Sequence, residues 1–460
     1  MSKVFTPPPR ATILASLRQA WGVRGDLGWA LDILRHGVCG DCSLGTHGWR
    51  DEFLRGRSIC PSRLEGLERW TAGPIPSSAF EDVPTLATKG QRELRSLGRL
   101  SEPRLWRCDQ SQMTSLSWDD ALKLASGRIA ASGGNWRASF NPSEMSNEAM
   151  FCLTELASSC AAKGVVSPLS SVQEESSVTL TDLFGSDGAT RSLKALRQAE
   201  VVLLFACSLD AEPLLGEYLR LAQRAGVDVI DVSETEAPLK HEGREVVCLV
   251  GPQISSEEEK DTLKRLRQLC EAASGADGPI GFIPVGWPRG YRGASDLGLT
   301  RLGDTGDFDA EQEGSVWLQV GASSGPGGLS GTFRIHQIHD LDPSIFHAAP
   351  EAVLLLPMQS RFEMVGGGTY TSLVGQVRFS PEIRGHQIGS AKPDWWPLTQ
   401  LRSRLESGFE PWDDGDEVRR RLSESCPLYA EVSELFRAGD GFDPQASSSA
   451  TQVSEERSEL

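Results

Sequence analysis

The sequence predicts an α/β fold, with parallel sheets of nucleotide-binding type carrying helices on both faces and a small cysteine-bearing domain ahead of them. Three observations carry this expectation. Val201-Val-Leu-Leu-Phe205, Val227-Asp-Val-Ile-Asp-Val232 and Glu245-Val-Val-Cys-Leu-Val250 are short apolar runs of the kind buried on both faces of a parallel sheet. Segments of helical character alternate with them, Leu214 to Ala225 stopped by Gly226 and a charged stretch over 255–275. Near the start, Cys39-Gly-Asp-Cys42 is followed, after seventeen intervening residues, by Cys60.

The cysteine stretch has a chemistry of its own. Cys39 and Cys42 can present two thiolates from one tight turn, and Cys60 supplies a third sulfur. Three close thiolates predict a metal or Fe–S site. Zinc or free thiols are the alternatives, and a disulfide accounts for only two of the three. The fourth ligand is left open between His36, three residues before Cys39, and Cys108.

Composition narrows the function classes. The chain has 460 residues, 39% hydrophobic and 24% charged, enough for two or three domains with substantial cores. Its net charge of −17 makes nucleic acid and anionic membranes poor partners. Ten cysteines in this length do not make a secreted disulfide scaffold. No secretory or twin-arginine leader and no membrane-spanning run is read, so a cytoplasmic setting is expected.

In chain order, residues 1–110 are expected to form the cluster domain, with a loose arm over 1–10 and an irregular wrapping over 61–110. Residues 111–255 are expected to form the nucleotide-fold domain. It opens with a helix capped by Ser117 and a second capped by Ser146. Cys207, Ser208 and Asp210, with Ser233, follow strand ends, where ligands of such folds sit. Residues 256–345 read as a charged helix followed by a Gly- and Asp-rich linker or shortened domain. Residues 346–440 return to the scaffold through Val353-Leu-Leu-Leu356. The glycines Gly366, Gly367 and Gly368, with Thr369, fit a turn or a close approach to a ligand. Residues 397–438 are expected to be helical and 441–460 a polar, disordered tail. Asp394-Trp-Trp-Pro397 is read as a core pair before an interface anchor, and Glu174 and Glu175 as a solvated face before acid–base groups.

Several stretches together resemble the molybdopterin oxidoreductases, most closely the formate-dehydrogenase-like large subunits. They are Cys39-Gly-Asp-Cys42-Ser-Leu-Gly through Cys60, Leu116-Ser-Trp-Asp-Asp-Ala-Leu122, and Gln359-Ser-Arg-Phe-Glu-Met-Val-Gly-Gly-Gly-Thr-Tyr-Thr-Ser372 through Ile383. Arg292-Gly-Ala-Ser-Asp-Leu-Gly298 is similar to the large Fe–S subunit of respiratory complex I. The resemblance implies a 4Fe–4S cluster on Cys39, Cys42 and Cys60. It also implies a molybdenum or tungsten bis(pyranopterin guanine dinucleotide) facing the strand ends and Gly366 to Thr369, and electron transfer with other redox subunits.

The sequence departs from that pattern in two places. Counting back from Phe184-Gly185, Val172-Gln173 stands where the family places a metal-ligating Cys or selenocysteine followed by His. Valine ligates no metal and glutamine shuttles no proton; a ligand from Ser170 or Ser171 requires a slip in alignment. The family's C-terminal β domain is expected to be absent. The expectation is therefore a degenerate Fe–S electron-transfer or structural subunit. An active oxidoreductase and a cofactor-free, partner-binding pseudoenzyme are the alternatives.

Overall fold

A computed structural model describes residues 26–40, 44–48, 50–51, 56–57, 61–166, 169, 171–184, 188–189, 193, 195–209, 212–232, 245–254, 256–274, 282–302, 308–310, 312–322, 332–347 and 350–444. Cys42, Cys60, Ser170, Asp210, Ser233, the arm over 1–10 and the tail beyond 444 lie outside the described residues.

The first helices are α1 (Leu27–His36) and α2 (Pro61–Trp70). Their apolar faces meet, Trp29, Ile33 and Leu34 packing with Leu64, Leu67 and Trp70. Strands β1 (Arg104–Arg107) and β2 (Met113–Ser115) form a hairpin. Helix α3 (Trp118–Ala131) starts where Ser117 accepts the Asp120 N–H, and α4 (Asn147–Ser159) where Ser146 accepts the Ala149 N–H. Both caps satisfy donors that the first helical turn leaves without partners. Strand β3 (Trp136–Phe140) lies between these helices, and β4 (Val165–Val166) follows them.

Helix α5 (Ser171–Phe184) leads to β5 (Val201–Phe205), α6 (Pro213–Arg224), β6 (Asp228–Asp231), β7 (Val246–Val250), α7 (Glu257–Ser274) and β8 (Phe282–Pro284). Strands β9 (Val316–Val320), β10 (Phe333–Ile338) and β11 (Ala352–Pro357) come next. The chain closes with β12 (Gly368–Thr371), β13 (Val377–Ser380), α8 (Trp396–Leu405), α9 (Gly415–Ser425) and β14 (Gly441–Phe442).

Two main sheets result. The four-stranded one runs β6-β5-β7-β8, all parallel. Val202, Leu204, Val247 and Leu249 pack toward α6 on one face, and Val201, Leu203, Val246 and Val250 toward α7 on the other. The seven-stranded one runs β2-β1-β11-β10-β9-β3-β4, parallel from β11 to β4 with the antiparallel hairpin at its edge. Leu354 and Leu356 join a core with α3, α4 and α8, while Val353 and Leu355 face a separate core with Phe80, Leu86 and Leu94. The predicted α/β class is therefore the observed one.

Four expectations change at the level of elements. Residues 61–110 are not an irregular wrapping: α2 and β1 lie there, and β1 pairs with β11. Residues 256–345 are not a linker, because they supply β9 and β10 to the middle of the larger sheet. Polar residues disguise these two strands. Gln319 gives its amide to the Gly321 carbonyl at 2.8 Å, Gln337 to the Asp394 carbonyl at 2.5 Å, and Arg334 donates to the His347 carbonyl at 2.8 Å. Each of these three side chains thus finds a backbone acceptor without breaking the strand. The segment 111–255 serves two sheets, β3 and β4 in one and β5 to β7 in the other. The run over 397–438 is divided into α8, α9 and a 3₁₀ segment at Pro427–Glu434. Trp395 is 2% exposed, a core residue, and Trp396 meets Trp118 edge to face. Glu174 and Glu175 are exposed, with Glu175 paired to Lys260 at 2.8 Å.

Candidate functional site

In the larger sheet, β3 leads to β4 on one side and the chain then returns as β9 on the other. That reversal opens the loops at the carboxyl ends of β3 and β9, the place where α/β sheets bind ligands. A cleft lies there, about 360 Å³ including its open mouth, between the β3–α4 loop, the segment after β11 and the Cys39 turn. Its lining includes Cys39, Ser143, Arg289, Arg361, Tyr370 and Ser372.

Arginines surround the Cys39 turn. Arg289 donates to the Gly40 carbonyl at 3.1 Å and Arg378 to the Gly45 carbonyl at 3.2 Å. Arg63, buried, donates to the carbonyls of Ile33 at 3.0 Å, Gly37 at 2.9 Å and Gly48. Arg361 lies so close to Gly40 that a Cβ there would sit 2.4 Å from its guanidinium carbon. The Arg361 guanidinium also stacks 4.1 Å from the Tyr370 ring centroid and donates to the Ser143 carbonyl at 2.6 Å. Such a ring of cations favours thiolate over thiol and suits a negatively charged cluster.

Cys39 is buried beside this ring. His36 is exposed at the end of α1. Cys108 is ruled out as a partner by topology: its N–H bonds the Glu351 carbonyl, at the amino end of β11. The Cys39 turn lies at the carboxyl ends of the strands, the length of six-residue β11 away, about 20 Å. The sequence reading missed His47, whose backbone bridges Val38 and whose Nε2 is buried without a partner among the described residues. Burial, then the charges of Arg378 and Arg63, lower its pKa. Its place inside the cysteine stretch was the available signal. Among the described residues, no three His, Cys, Asp or Glu side chains gather as a metal site.

The Gly366–Thr369 loop behaves differently from a ligand cradle. Gly366 and Gly367 adopt φ of +78° and +70°. The Gly366 N–H faces Glu382 at 3.4 Å and the Gly367 N–H bonds the Met364 carbonyl at 2.9 Å. The Thr369 N–H and hydroxyl both donate to Glu148 of α4, at 2.9 and 3.1 Å to Oε2. Glu148 and Arg419 are themselves buried and paired at 3.1 Å, and Arg419 also donates to the Gly366 carbonyl at 3.1 Å. The donors of Thr369 are thus taken by the protein's own carboxylate. Gly367 is held by packing: an added Cβ would lie 2.4 Å from the Phe379 ring and 2.7 Å from the Ser380 carbonyl. Gly367→Ala is therefore expected to cost about 2–3 kcal/mol in thermal unfolding, against about 1 kcal/mol for Gly366→Ala, whose Cβ meets little. Equal costs for the two would contradict this packing role.

The smaller sheet is closed at its own reversal point. A Cβ on Gly251 would lie 1.7 Å from the Ala206 carbonyl oxygen, so the ends of β5 and β7 touch. The Cys207 thiol donates to the Leu249 carbonyl at 3.0 Å, and burial pushes its pKa up to about 12. Ser208 is exposed. Val172 and Gln173 lie in the first turn of α5 rather than in a ligand loop.

A dinucleotide cofactor with two pterins exceeds what one drug-sized cleft of roughly 300–1,000 Å³ holds. The described residues do not fit it: at the glycine loop both donors of Thr369 are already taken by Glu148. Of the three cysteines expected to hold a cluster, Cys39 alone lies among the described residues, beside Arg289 and Arg63 bound to the carbonyls of its turn.

The sequence matches no protein-family model and no curated protein. Among solved structures, the chain is similar to acetylene hydratase from Pelobacter acetylenicus, at 11% identity over 87% of this chain and 74% of that one, with a TM-score of 0.48. It is also similar to a chain of the formyltransferase/hydrolase complex from Methylorubrum extorquens in complex with methylofuran, at 13% identity over 65% of this chain and 98% of that one, with a TM-score of 0.46. Among the described residues, no helix is long and apolar enough to cross a membrane.

Proposed function

We propose that this protein is a degenerate relative of the molybdopterin oxidoreductases that acts as an Fe–S electron-transfer or structural subunit of a redox complex. The observation that carries the reading is the Glu148 carboxylate, which accepts both donors of Thr369 and so takes the position of a ligand anion on the glycine loop. A pyrophosphate brought to the same donors would meet that buried negative charge. Val172 supplies no lone pair for a metal.

In this reading Cys39, Cys42 and Cys60 would hold the cluster, and Arg63, Arg289, Arg361 and Arg378 stand around the Cys39 turn. When bound, the cluster supplies one-electron transfer. The residues around it fix the turn through its carbonyls and offset its charge. The experiment that tests the reading is the metal content of the full chain purified without oxygen after growth with iron, molybdate and tungstate. Iron without molybdenum or tungsten is expected.

A further inference from the structure

Two of the arginines at the cleft have more to do than hold the cysteine turn. Several other arginines near the carboxyl ends of the sheet are paired with acids, whereas buried Arg63 is held by three backbone carbonyls. Arg69 bonds Asp340 at 2.5 Å and Glu144 at 2.7 Å, Arg99 pairs with Glu363, and Arg419 pairs with Glu148 at 3.1 Å. Arg361 and Arg289 have no carboxylate partner among the described residues. Arg361 is only 8% exposed, yet a single N–H of its guanidinium is used, on the Ser143 carbonyl. Arg289 is half-buried and gives one N–H to the Gly40 carbonyl.

A guanidinium taken out of water without a counter-charge is costly, so proteins seldom keep one unless something anionic visits it. Here Arg361 is such a group and half-buried Arg289 stands with it, both beside Gly40 and both lining the same cleft. Tyr370 lines it as well, and its buried hydroxyl has no hydrogen-bond partner among the described residues. Glu144, the acid on the adjoining loop, is already committed to Arg69 and to the Ala322 N–H at 2.8 Å. The position is also unusual for a chain whose net charge is −17.

From this geometry we infer that the cleft binds a small dianion between Arg361 and Arg289. Two uncompensated guanidiniums match two negative charges, and the planar fork of arginine suits both carboxylate and phosphate oxygens. Inorganic phosphate and a short dicarboxylate carry that charge on closely spaced oxygens. The inference does not depend on whether the cysteines carry iron.

The test is calorimetric titration of the full chain with inorganic phosphate and, separately, malonate, each against chloride at matched ionic strength. Iron content is measured on the same samples. Saturable binding of at least one dianion is expected, weakened at least about tenfold by Arg289→Gln; this residue is half-exposed, so the fold survives its loss. Arg361→Lys, which keeps the charge but not the fork, is expected to weaken binding as well. Phosphate alone would identify a tetrahedral oxyanion, and malonate alone a dicarboxylate. Binding in a sample without iron would uphold the inference while removing the cluster from the proposed function. Failure of both dianions to bind saturably, or equal binding by Arg289→Gln, would overturn it. If neither dianion binds and Arg289→Gln lowers the iron content, the arginines serve the cluster alone, and the inference falls while the cluster stands.

Discussion

Glu148→Ala is expected to destabilise the protein by about 3–5 kcal/mol, the usual cost of stranding one member of a buried ion pair. The carboxylate is fully buried and accepts three donors, the Thr369 N–H, the Thr369 hydroxyl and Arg419. Without it, the buried Thr369 amide and hydroxyl lose their acceptor, and the buried Arg419 keeps only Asp416, whose side chain is exposed, and the Gly366 carbonyl. Adding Arg419→Met should restore part of the loss, because the stranded charge is then gone. Urea unfolding of the two variants measures both effects. A cost below about 1 kcal/mol for Glu148→Ala would mean that the glycine loop does not rest on this carboxylate, and the closure of the loop would lose its physical basis.

Stability should also depend on pH through three buried groups of opposing sign. Burial, then the charge of Arg334, lowers the pKa of His336 to about 3; burial, then Arg69 and Arg99, does the same to His339. An unfolded histidine takes a proton near pH ~6.5. Between these values the unfolded chain holds a proton that the native protein lacks, so each histidine makes stability rise with pH by about 1.4 kcal/mol per unit. Asp394 does the reverse. Burial raises its pKa to about 7, although Ser146 donates to it through its N–H at 2.7 Å and its hydroxyl at 2.8 Å. From pH about 4 to 7 the native protein holds a proton there that the unfolded chain lacks, so this term falls as pH rises. Between about pH 4 and 6.5 the histidines outweigh the aspartate by one proton. His339→Gln should lower the slope of unfolding free energy against pH by about one proton, and Asp394→Asn should raise it by about one. Denaturant unfolding at a series of pH values reads both slopes. A slope unchanged from wild type in either variant would contradict the corresponding assignment.

The elements legible in the sequence were those whose local chemistry agreed with their tertiary setting. The apolar runs at 201–205, 246–250 and 352–357 are strands buried on both faces, and Ser117 and Ser146 cap the helices expected of them. Strands β9 and β10 were not legible, because Gln319, Arg334, His336 and Gln337 break the apolar pattern, and Gln319, Arg334 and Gln337 find their partners only in the assembled fold.

The candidate site was legible in part. Cys39 announced itself by its spacing, while the arginines around it come from positions 63, 289, 361 and 378, which no local pattern links. Gly366 to Thr369 looked like a ligand loop for a sound reason, since glycine with positive φ often serves close approach. What it approaches is Phe379 and Ser380, with Glu148 on its donors, a pairing across more than two hundred positions of sequence.

Metal analysis of the anaerobically purified full chain tests the central claim most directly. The account predicts about four iron atoms per chain, with neither molybdenum nor tungsten. Molybdenum or tungsten near one atom per chain would contradict it. That result would require the Glu148 closure to open and a ligand other than Val172 to serve the metal.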